Sequence, residues 1–100
     1  MNLQLVKERV TILRELFRSS MDFLDQKYEE MAEGSKNKTR VYLLIENRRA
    51  EMIQCISQCI GHHQTEEAKL EEVIGEVERI KALLLDELDE IKLEAVEELV

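Results

Sequence analysis

No proline interrupts this chain of 100 residues, and over residues 3 to 32 its apolar side chains recur at Val6, Val10, Leu13, Phe17, Met21, Leu24, Tyr28 and Met31. Every step in that series is three or four, the period of one helix face. The spacing predicts one amphipathic helix over about 3–33, about 45 Å long at the usual rise per residue. Leu5, Ile12, Leu16 and Phe23 widen the apolar stripe on one flank. A stripe that broad calls for two neighbouring helices rather than one.

The run from Gly34 through Ser35, Lys36, Asn37 and Lys38 to Thr39 is the clearest break, because glycine suits the position past a helix end and Ser, Asn or Thr can cap the next start. A second helix is expected over about 38–60, with Val41, Ile45, Arg48, Met52, Cys55 and Cys59 in heptad register. Arg48 lies inside that seam, where a charge must find a carboxylate or leave the interface. The segment Gly61, His62, His63, Gln64, Thr65 reads as a turn, with Thr65 as a possible cap. A continuous helix from 38 to 99 is the alternative, and only Gly61 speaks against it. The third helix, over about 66–99, carries Leu70, Val73, Val77, Ile80, Leu84, Leu88, Ile91 and Ala95. Its one glycine, Gly75, indicates either a close helix approach or a position without constraint.

These patterns predict an all-α fold and one domain over 1–100. The architecture is either an antiparallel three-helix bundle or a long helical hairpin with coiled-coil packing, completed as a dimer. With only three glycines, the chain lacks the turn residues a sheet needs.

Charge is unevenly placed: residues 1–35 balance to -2, residues 36–65 to +3 and residues 66–100 to -9, giving the net -8. An acidic final third repels phosphate, so neither nucleic acid nor an anionic membrane suits it. The basic run of Lys36, Lys38, Arg40, Arg48 and Arg49 beside Tyr42 reads instead as a set of partners for the carboxylates of the third helix. Charged residues interrupt every apolar run before it reaches membrane-spanning length. Lys7, Glu8 and Arg9 fall where the apolar stretch of a signal peptide would lie. The chain therefore reads as cytoplasmic, with Cys55 and Cys59 as reduced thiols and the Asn37, Lys38, Thr39 sequon idle.

The sharpest local constellation is Cys55, Cys59 and His62, with His63 as an alternate. Spacings of four and three put thiols and imidazole on one side of a helix, where zinc or copper(I) could be held. The bland reading is two small core residues followed by a turn, with no metal. Nothing in the pattern supplies the base, orienting group and oxyanion site of an enzyme, and no cofactor is called for.

The break at Ala32, Glu33, Gly34, followed by Leu43, Leu44, Ile45, Glu46, Asn47, Arg48, Arg49, Ala50, Glu51, Met52 and Ile53, resembles the helical export chaperones of bacterial flagella, the FlgN and FliT types. That resemblance implies a C-terminal helix that holds an exported client, around Leu84, Leu88 and Ile91. The two cysteines and two histidines have no counterpart in it. The expected function is a non-enzymatic interaction module, a chaperone, adaptor or assembly subunit. It would bury the amphipathic helix of a partner protein, or of a second copy, against Leu84, Leu85, Leu88 and Ile91. A metal or redox sensor built on Cys55, Cys59 and His62 is the alternative.

Overall fold

The computed structural model describes residues 3–32, 37–61 and 67–98, which form three helices and no strand: α1 (Leu3–Ala32), α2 (Lys38–Gly61) and α3 (Glu67–Glu98). The expected boundary residues Glu33, Gly34, Thr65, Glu66 and Leu99 lie outside the described residues, as do His62 and His63. At the start of α2 the Val41 N–H donates to the Asn37 carbonyl at 2.9 Å, so Asn37 accepts the first helical bond as a cap residue does.

Residues 38–98 hold two helices rather than one. Arg48 meets Glu87 at 2.9 Å, and Arg40 meets Glu94 at 2.6 Å. In a continuous helix Arg48 and Glu87 would stand about 58 Å apart, so the chain reverses between α2 and α3. It also reverses between α1 and α2: Tyr28 stacks edge-on against Tyr42, Asp25 pairs with Arg49, and Leu13 clusters with Cys59. These contacts climb α1 as they descend α2.

The core forms where the three seams meet. Leu24, Met31, Val41, Ile45, Met52, Ile80, Leu84, Leu88 and Ile91 make one cluster, and Leu13, Cys59 and Leu70 a smaller one toward the other end. The one buried polar side chain among the described residues is Ser20, whose hydroxyl donates to the Leu16 carbonyl at 2.6 Å. That bond removes most of the cost of hiding a hydroxyl from water.

Leu13 is level with Leu70, and Phe23 with Lys81, so α1 begins before α3 and α3 continues past α1. This stagger helps stretch the molecule to 62 × 19 × 15 Å. It also leaves residues 92–97 of α3 exposed, Leu93 and Val96 among them. Gly75 shows no close approach, since a Cβ added there meets nothing within 4 Å.

Candidate functional site

The face expected to receive a partner is already occupied by the chain itself. Leu84, Leu88 and Ile91 are buried against α1 and α2; of the four residues singled out from sequence, only Leu85, 38% exposed, reaches the surface. The physical reason is register. Leu84 and Leu88 sit on the same face as Val77 and Ile80, and α1 and α2 need that whole face to close the core.

The three borders between helices differ in chemistry. Between α2 and α3 the border is ionic. Arg40 pairs with Glu94, and Arg48 with both Glu87 and Glu51. Each arginine is held charged by these hydrogen bonds. Between α1 and α2 the Arg49 guanidinium bridges Asp25 at 2.7 Å and Glu46 at 3.2 Å, and reaches the Met21 sulfur. The basic run thus answers carboxylates within the chain, two of its arginines on α3 and the third on α1.

The border between α1 and α3 is the sparsest of the three. Along α1, Leu5 and Ile12 are 43% and 45% exposed, while Leu16 and Phe23 are half-buried. These residues follow one another by seven, four and seven positions, so they share one line along the helix. Opposite them α3 presents Ile74, Lys81 and Leu85, spaced by seven and four. The contact that fixes the two lines face to face is Lys81, whose Nζ lies 5.3 Å from the centre of the Phe23 ring. Lys27 approaches the same ring at 5.6 Å. The two lysines are paired in turn with Glu78 at 3.6 Å and Glu30 at 3.2 Å. From Leu5 to Phe23 the α1 line is about 27 Å long, the length of a helix of about five turns, and α3 runs beside it from just before Ile12 onward.

The cysteines sit at the other end of chemistry. Cys59 is buried and Cys55 half-buried, beside an open trough of about 440 Å³ bounded by Gln58, Lys69, Glu72 and Glu76. Burial pushes both thiols up, and Glu76, Cys59 and Glu72 push Cys55 up further. For Cys59 the nearby Lys69 acts the other way, against the larger effect of burial. Such surroundings favour the thiol over the thiolate that metals and electrophiles require. Among the described residues no group of three or more His, Cys, Asp or Glu is arranged to hold a metal ion.

Sequence reading placed Leu5, Ile12, Leu16 and Phe23 on a flank of α1 but assigned them to packing. Their common line was present in their spacing; what was missing was the facing line on α3. No helix of the described residues is long and apolar enough to cross a membrane. Comparison with protein-family models, curated proteins and solved structures finds no match to the chain.

Proposed function

We propose that this protein is a non-enzymatic helical interaction module that docks an amphipathic helix of another protein in the groove between α1 and α3. One observation carries the reading: with its internal core closed, the chain still leaves Ile12, Ile74 and Leu85 more than a third exposed along one border, and Leu5 likewise on the stretch of α1 that precedes α3. Scattered apolar residues are ordinary on a surface, whereas two facing lines of them mark a place where another surface fits. A partner helix laid there would present side chains at positions i, i+3, i+4 and i+7 to both lines at once. Work as a chaperone, adaptor or assembly subunit is compatible with such a groove, and so is the resemblance to flagellar export chaperones. The docking line would then lie beside the core leucines of α3 rather than on them.

Site-specific photo-crosslinking in the source cell tests this. A photoreactive residue placed at Ile12 or Ile74 is expected to give a discrete protein adduct, and one placed at Arg14, on the opposite side of α1, to give none. Equal labelling at all three positions, or no adduct from the groove, would remove the basis for the proposal.

A further inference from the structure

The outer edges of the groove are acidic, while its basic groups, Arg9, Lys27 and Lys81, lie nearer its floor. Glu8 and Glu15 each stand three residues after a groove position, Leu5 and Ile12, and so lie on its outer edge. On α3, Glu71 stands three before Ile74 and Glu78 four after it, making the opposite edge. All four carboxylates are exposed. Of the basic residues of α1, Lys7, Arg14 and Arg18 each follow a groove residue by two positions, about 200° around the helix, whereas half-buried Arg9, four after Leu5 and three before Ile12, lies on the inner side of the same line. Within the groove Lys27 and Lys81 sit on Phe23 and are already paired with Glu30 and Glu78.

Resting on the docking reading above, we infer that the occupant is a basic amphipathic helix of about 18 residues, a length that spans Leu5 to Phe23. Its apolar face lies on Leu5, Ile12, Leu16 and Ile74, and its lysines or arginines meet Glu8 and Glu15 on one side and Glu71 on the other, with Glu78 shared between the occupant and Lys81. A second copy seated groove to groove would bring two acidic edges together, and like charges in register oppose such pairing. The acidic outer edges therefore point to a different chain of opposite sign.

The probes are three labelled 18-residue amphipathic peptides with the same leucine face and with lysine, glutamine or glutamate on the polar face. Binding is read by fluorescence anisotropy against the full chain. The lysine peptide is expected to bind at least tenfold more tightly than the glutamine peptide, and the glutamate peptide most weakly. The quadruple variant Glu8→Gln, Glu15→Gln, Glu71→Gln, Glu78→Gln is expected to weaken the lysine peptide about tenfold, as four rim pairs of ordinary strength would. A control of identical net charge, Glu29→Gln, Asp86→Asn, Glu90→Gln, Glu97→Gln, is expected to change it less than twofold. Ile12→Ser with Ile74→Ser is expected to weaken all three peptides together.

Equal weakening by the two quadruple variants would show diffuse attraction to an acidic protein and would overturn the inference. Equal affinity for lysine and glutamine peptides would overturn it while leaving the groove as a docking site. A homodimer seen by sedimentation and dissolved by Ile12→Ser with Ile74→Ser would also overturn it, with a second copy as occupant. If no peptide binds and the serine variants change nothing, the docking reading itself fails.

Discussion

Arg48 of α2 donates from Nε to Glu87 of α3 at 2.9 Å, and a second nitrogen of the same guanidinium reaches the other Glu87 oxygen at 3.3 Å. Its remaining nitrogen donates to Glu51 one turn on, at 2.5 Å. A charge set in an apolar seam has thus been given a fork of carboxylates at the seam's edge, its aliphatic stem lying inward and only 16% of the side chain exposed. Removing the cation would leave Glu87 and Glu51 facing one another without it. Arg48→Ala is expected to lower unfolding stability by about 2 kcal/mol, and Arg48→Met by less, since Met keeps the stem's packing. Urea titration followed by circular dichroism measures both.

Core and groove leucine-type residues are expected to behave differently on truncation. Leu84 is fully buried, so Leu84→Ala should cost about 3 kcal/mol through lost transfer energy and the cavity left behind. Ile12→Ser and Ile74→Ser, at sites that keep much of their water contact, should each cost under about 1 kcal/mol. Comparable losses at all three positions in urea titration would mean that the α1/α3 border is packed in solution.

Gly75→Ala is expected to stabilise the protein by about 1 kcal/mol, because the position is helical and an added methyl group meets nothing within 4 Å. A fall in melting temperature would reveal a close approach at Gly75 in the native assembly.

Acid should loosen the ionic border between α2 and α3. Across that border the Arg40 guanidinium holds the Glu94 carboxyl below the ordinary carboxylate range, and within α3 Arg79 does the same for Glu76. A carboxylate whose folded pKa is depressed contributes stability above its unfolded value, near pH 4.3 for glutamate, and loses it as pH falls through the folded value. Melting temperature should therefore drop below about pH 4.3, less steeply in Glu94→Gln than in the wild type. Both pairs are open to solvent, so the contrast should shrink in high salt.

The thiols should be slow. Iodoacetamide at neutral pH is expected to modify Cys55 before the more buried Cys59, and both more slowly than an unstructured cysteine. Glu76→Gln should quicken Cys55 by removing a neighbouring negative charge. Zinc is expected to leave the melting temperature unchanged, in the wild type as in Cys55→Ser with Cys59→Ser. A zinc-dependent rise lost in that double variant would support the metal reading on Cys55, Cys59 and His62.

The helices themselves were legible from local spacing. Steps of three and four without proline drew α1, the glycine at 61 stood at the end of α2, and Arg48 announced its need for a carboxylate. These are properties of a chain segment and its own periodicity, which sequence carries in full. Tertiary structure alone decided which apolar residues are spent inside. A helix pattern says that Leu84, Leu88 and Ile91 share a face with one another, but not whether α1 and α2 or another protein will cover it. It likewise cannot say that Phe23 of α1 will meet Lys81 of α3, because helix rotation and stagger are settled by how three sets of side chains interlock at once. For that reason the surface left open between α1 and α3, and the acidic edges that frame it, emerged only when the three helices were seen together.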